Sequence, residues 1–171
     1  MFVKGDYIVY GSTGVCEVLD VTTMDMSGVP EDKLYYILRP CSKKGSEIFT
    51  PVDNKRTIMR NLISKKDAEN LVQNISKLEE FKIPNEKFRE DRYKECVRGC
   101  SCQEMMMLVK TLVQRKRERM GQGKNFPATD EKYLRIAEEN LYSELAMSLG
   151  QEKAKIQERV SLEVTECHLA C

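Results

Sequence analysis

The sequence predicts an α+β protein in two parts. A small five-stranded β-barrel is expected over residues 1–63 and a compact all-α bundle over 64–150, with 151–171 as a C-terminal tail. Three observations carry this reading. The first sixty residues hold five short runs of aromatic and β-branched residues, separated by glycine, proline and polar turns. At Ser64 the spacing of apolar residues changes from two to between three and four. Beyond that point the apolar stretches are punctuated by capping signals, glycines and a proline.

The barrel is organised around Gly5 to Val21, GDYIVYGSTGVCEVLDV. Tyr7-Ile8-Val9-Tyr10 fits a pleated, half-buried strand. Gly11-Ser12-Thr13-Gly14 breaks it, because glycine reaches backbone angles that other residues avoid. Val15, Glu17, Leu19 and Val21 then alternate with Cys16, Val18 and Asp20, the period of a second strand. A hairpin alone is marginal in water, so more strands must complete it. After a polar loop from Thr22 to Lys33, with Gly28 and Pro30, they follow: Leu34–Leu38, Glu47–Thr50 and a short Thr57–Arg60. Arg39-Pro40, Ser42 to Gly45, Pro51 and Asp53-Asn54 supply the turns. Five short strands in so little chain suggest a barrel of the SH3 or Tudor type.

Ser64-x-x-Asp67 opens a first helix, with Ala68, Leu71, Val72, Ile75 and Leu78 on one face. Pro84 requires it to have ended. A second helix is expected from Glu86 to Arg98, ended by Gly99. Ser101-x-x-Glu104 is a capping box for a third, with Met105, Leu108, Val109, Leu112 and Val113 inward. Gly121 and Gly123 end it. Thr129 is the expected cap of a fourth, with Leu134, Ala137, Leu141, Leu145 and Leu149 inward and Gly150 at its end. Past Gln151 the pattern weakens: Ile156, Val160 and Val164, four apart, allow one more helix, and a loose tail is the other reading.

The chemistry of catalysis is missing from the pattern. No phosphate-binding glycine loop, nucleophile elbow or metal-binding histidine pair occurs, and the single histidine, His168, falls in the tail. The expectation is a protein that is not an enzyme and carries no cofactor. Cys96, Cys100 and Cys102 lack the paired C-x2-C spacing of structural zinc, so the expected metal set is none. Seven cysteines with no export signal in Met1–Asp6 read as reduced thiols of a cytoplasmic protein. No apolar run is long enough to span a membrane.

Charge has more content. The net +1 hides an uneven distribution: residues 1–63 are neutral, 64–81 carry −1, 82–124 carry +6 and 125–171 carry −4. The basic middle includes Lys87, Arg89, Arg92, Lys94 and Arg98 on the second helix, and Arg115, Lys116, Arg117 and Arg119 at the end of the third. Such a set can neutralise phosphates and release counterions. A solvated helical face is the alternative. Phe88 and Tyr93 interleave with the first group, and amphipathic helices bury their aromatics, so both are expected in the core.

These residues resemble the CarD/CdnL transcription regulators of bacteria, whose first domain is shared with transcription-repair coupling factor. The N-terminal likeness lies in Phe2-x-x-Gly5-Asp6-x-x-Val9-Tyr10-x-x-x-Gly14-Val15, Tyr35-Tyr36-Ile37-Leu38 and Ile48-x-x-Pro51-Val52-Asp53-Asn54. The C-terminal likeness lies in Arg89-Glu90-x-Arg92-Tyr93-Lys94, Leu112-x-x-Arg115-Lys116-x-Glu118-Arg119 and Asp130-Glu131-x-x-Leu134-x-x-Ala137-x-x-x-Leu141-x-x-Glu144-Leu145-Ala146. It implies a monomer whose barrel docks on the β subunit of RNA polymerase by strand addition. The matching strand is Glu47, Ile48, Phe49 and Thr50, and Met24 is counted with it. The resemblance implies further that the helical part touches promoter double-stranded DNA at the upstream edge of the melted bubble and tunes the open complex. Family members place a tryptophan wedge near the start of the second helix. This chain has no tryptophan and reads Asn85-Glu86-Lys87-Phe88 there. Either Phe88 is the wedge or only phosphate contacts remain. The rival reading of another class is a protein-interaction adaptor whose helical part is scaffold.

Overall fold

The computed structural model describes residues 1–24, 32–43 and 45–169, with side chains as far as Thr165. The expected loop around Gly28 and Pro30, Lys44 of the following turn, the side chain of His168 and the last two positions lie outside the described residues. The chain divides into two compact units, Met1–Leu62 and Ile63–Cys171.

The first unit is a five-stranded antiparallel sheet: β1 Tyr7–Tyr10, β2 Gly14–Thr23, β3 Leu34–Pro40, β4 Ile48–Pro51 and β5 Met59–Asn61. The strands lie in the order β4-β3-β2-β1-β5. A 3-10 turn, Gly11–Thr13, joins β1 to β2. Gly11 has φ +47°, and a Cβ there would sit 2.6 Å from the Thr57 methyl, so both backbone and space demand glycine. The core face is Ile8, Cys16, Val18, Tyr36 and Leu38. A bulge between Val18 and Asp20 shifts the register of β2 against β3. The alternation therefore changes phase there, and Val21, not Asp20, packs toward the core. The buried Tyr36 hydroxyl accepts from the Phe2 amide at 3.0 Å and ties the N-terminus down.

The second unit holds five helices: α1 Lys65–Gln73, α2 Arg89–Gly99, α3 Cys102–Gly121, α4 Ala128–Leu149 and α5 Lys153–Leu169. Ser64 caps α1 by accepting from the Asp67 amide, and Ser101 caps α3 by accepting from the Glu104 amide. Several boundaries differ from those the sequence suggests. α1 stops at Gln73 and a 3-10 turn continues to Lys77, which still buries Ile75. Glu86–Phe88 is a 3-10 turn leading into α2. Gly99 is the last residue of α2, and Cys100 takes the left-handed conformation at φ +55°. Its thiol donates to the Arg98 carbonyl at 3.2 Å. Pro127, not Thr129, precedes the first residue of α4, and no side-chain cap is made there. The stretch after Gly150 is not a loose tail: α5 buries Ile156, Val160 and Val164 in the core shared by the other helices, because a stripe at every fourth residue has a helical face to pack. Met105 and Met106 are both fully inside that core, and Tyr93 lies there too.

Candidate docking edge and candidate nucleic-acid interface

β4 hydrogen-bonds to β3 alone among the described strands and so forms one edge of the sheet. Register shows which of its backbone groups are available. The Val52 amide donates to the Leu34 carbonyl at 3.0 Å, and the pairing continues as Pro51 opposite Tyr35, Thr50 opposite Tyr36, Phe49 opposite Ile37 and Ile48 opposite Leu38. In an antiparallel ladder alternate residues face the partner strand. Thr50 and Ile48 therefore share the inward direction of Val52. Phe49 and Pro51 turn their backbone groups outward, and since proline has no N–H, Phe49 supplies the outward donor within β4. Side chains follow the same alternation. Thr50 is buried, its hydroxyl accepting from Asn54 at 2.8 Å, and Ile48 packs on the sheet core. Phe49 is 49% exposed on the opposite face. Glu47, just before the strand, is exposed, and Met24, just after β2, is half-buried.

The basic residues of the helical unit separate into two kinds. Five carry carboxylate partners. Arg89 pairs with Asp130 at 2.9 Å, and Arg115 pairs with Glu86 at 2.7 Å and Asp130 at 3.6 Å. Arg92 lies 3.5 Å from Glu95 and 3.8 Å from Glu104, and its guanidinium stacks 4.6 Å from the centre of the Phe81 ring. Lys94 lies 3.4 Å from Glu90, and Lys116 lies 2.9 Å from Glu131. The other four have no carboxylate at ion-pair distance among the described residues. Lys87 and Arg98 are exposed. Arg117 donates to the Thr165 hydroxyl at 2.6 Å, and Arg119 donates to the Asn125 carbonyl at 2.8 Å.

Phe88 is not in the core, contrary to the expectation drawn from helix amphipathicity. It is 57% exposed: five residues before Tyr93, it lies about 140° round the helix from that buried side chain. The Lys87 ammonium sits 6.0 Å from the centre of its ring. An exposed aromatic beside a free cation offers a stacking face and a phosphate contact together.

The model of the CarD-like/TRCF RID domain matches residues 2–63. These residues are similar to the CarD-like RID domain. The resemblance carried by the N-terminal motifs is thereby established for this stretch, and the helical unit lies outside the match. Among curated proteins none matches the chain. In this family the RID domain is an RNA polymerase β-interacting domain, which gives the chain a transcription-related setting. β4 is thus an edge of the sheet, among the described strands, in the stretch that matches this domain.

Sequence reasoning places Asp130 in the C-terminal likeness but misses it as a site residue. Asp130 is wholly buried in the first turn of α4, where an acidic residue suits the helix dipole. It meets two arginines and accepts from the Tyr93 hydroxyl at 3.3 Å. The tyrosine is pushed up to about 12, by burial first and by Asp130 next. Glu144 was missed in the same way. It is buried and accepts from the Ile63 amide at 2.8 Å and the Cys102 thiol at 3.1 Å. Cys96, Cys100 and Cys102 are all buried, and burial pushes the Cys96 thiol up to about 12, so it is held protonated rather than reactive.

Proposed function

We propose that the chain is a non-catalytic, cytoplasmic transcription regulator. Its RID domain, curled as a Tudor-like barrel, adds a strand of the polymerase β subunit to the β4 edge. Its helical unit rests against promoter DNA near the upstream edge of the melted bubble and tunes the open complex. The observation that carries this is the outward N–H and C=O of Phe49 on an edge strand of a RID domain. Strand addition draws its affinity from such main-chain groups. For DNA, the support is the +6 charge of residues 82–124 together with Lys87, Phe88 and Arg98 at the surface. The test is capture of polymerase by the full-length chain, followed by DNA binding across a salt series. Capture that is lost on blocking Phe49, and DNA affinity that falls steeply with salt, are the expected results. No capture would sink the docking half.

One observation favours the adaptor reading. Arg89 and Arg115 are committed to a buried carboxylate, and a face held together by ion pairs can be scaffold. DNA binding that is absent at low salt would decide for the adaptor.

A further inference from the structure

The turn that carries Phe88 is fastened at both ends to one buried carboxylate. At its start, Glu86 pairs with Arg115 at 2.7 Å, and Arg115 reaches Asp130 at 3.6 Å. Just past its end, Arg89 pairs with Asp130 at 2.9 Å and returns a hydrogen bond to the Glu86 carbonyl at 3.3 Å. Asn85 adds a local tie by accepting from the Lys87 amide at 2.9 Å. Tyr93, one turn into α2, donates to the same Asp130 oxygen that Arg89 uses, at 3.3 Å, and its ring lies 5.5 Å from that of Tyr133. The 3-10 turn, α2, α3 and α4 thus converge on one buried anion. What the arrangement leaves outside is Lys87 and Phe88.

We propose that Glu86, Arg89, Arg115 and Asp130 are positioning residues, whose shared ion-pair cluster holds Lys87 and Phe88 ready to meet nucleic-acid bases and phosphate. This rests on the DNA reading of the helical unit and deepens it. It gives Arg89 and Arg115 a role other than phosphate contact. An arginine already paired with a buried carboxylate strips that anion of a partner if it turns to a phosphate, a costly exchange. A ring held out by such a cluster loses little conformational freedom on binding, so more of its stacking energy appears as affinity.

The test uses the full-length chain with Glu86→Ala, a change at the exposed end of the cluster that leaves Arg89 on Asp130. Two quantities are read: amide hydrogen exchange at 86–89, and the lifetime of polymerase–promoter open complexes. Amides at 86–89 should exchange about fivefold faster, the scale of one lost half-exposed ion pair, while those of α4 and α5 keep their rates. The lifetime should fall as it does for Phe88→Ala, and the double variant should be no shorter than either. Simple electrostatics predicts the opposite sign, because Glu86→Ala removes a negative charge beside DNA and should tighten binding. Unchanged exchange, a longer lifetime, or effects of Glu86→Ala and Phe88→Ala that add would overturn the positioning role. If exchange rises as expected but Phe88→Ala leaves the lifetime untouched, the DNA reading itself fails, and the proposal with it.

Discussion

Replacing Phe49 with proline probes the docking edge with little harm to the sheet, and the register of β4 shows why. The ladder to β3 uses Thr50 and Ile48, in phase with the Val52 amide that donates to Leu34. The Phe49 N–H points away from β3, so proline there removes no internal hydrogen bond. Edge strands tolerate proline in that orientation, and Ile48 before it is already extended. The ring is 49% exposed, so its loss forfeits about half the burial energy of a core side chain, roughly 1 kcal/mol. Thermal melting should fall by only a few degrees and circular dichroism should stay native. Docking should suffer far more. The change removes the outward donor of β4, a net contribution of about 1 kcal/mol, and places a ring where the incoming strand must approach. Together these should weaken polymerase binding by at least about tenfold, and in a pull-down abolish it. Thr50→Pro is the control, since it removes a ladder donor and buries a clash, and it should unfold the sheet. A folded Phe49→Pro protein that binds polymerase within twofold of the parent would refute the assignment of this edge.

The helical unit invites a paired comparison. Arg89→Ala leaves Asp130 buried with one arginine fewer and should cost about 2–3 kcal/mol in a denaturant melt, whereas Lys87→Ala with Arg98→Ala should leave the melt alone and flatten the salt dependence of DNA binding by about two units of slope. A salt slope unchanged by the double variant would move the DNA surface to Arg117 and Arg119. Gly11→Ala should destabilise the RID domain by about 1–2 kcal/mol, through both φ +47° and the 2.6 Å approach to Thr57, and an unaltered melting temperature would contradict this. The chain should lose stability in alkali. Burial raises the thiols of Cys16 and Cys96 to about 12 from an ordinary 9.0, and Tyr93 to about 12 from 10.0. Each is neutral when protonated, so the fold holds these protons more tightly than the unfolded chain does. Their stabilising effect is complete below about pH 9 and is lost as pH rises toward 12. A melting temperature flat from pH 8 to pH 11 would show these groups to be solvated.

The elements were legible where a pattern has one physical cause. Strand composition and turn residues place all five strands of the RID domain, since alternation on a half-buried sheet leaves few other readings. The bulge in β2 was not legible. Leu19 and Asp20 look like two further steps of a regular strand, and only pairing with β3 shows that one residue is extra. At α5 the stripe of Ile156, Val160 and Val164 at four-residue spacing is present but thin, and its meaning depends on a core built by other helices. Cys100 was hidden for a different reason. The sequence puts a glycine at 99, the usual helix stop, yet the left-handed residue is the cysteine after it, steadied by its thiol's bond to the Arg98 carbonyl.

For the candidate site, the gap lies between how much charge a segment has and how much of it is available. A count of arginines and lysines in 82–124 treats every cation alike. The fold does not, because Asp130 comes from α4, some forty residues from Arg89 in the chain, and no local pattern brings the two together. Once it is buried between Arg89 and Arg115, two of the strongest-looking basic positions become internal ties, while Lys87 and Arg98 stay exposed. Phe88 shows the same logic with opposite sign. The expectation that a helix buries its aromatics places the ring inward, yet five residues before the buried Tyr93 it lies about 140° round the helix from it, toward solvent. The cluster that withdraws two arginines from the surface is the one that fastens the Glu86–Phe88 turn. The pairing of Arg89 and Arg115 and the anchoring of the turn that carries the exposed Phe88 are therefore two consequences of a single buried carboxylate.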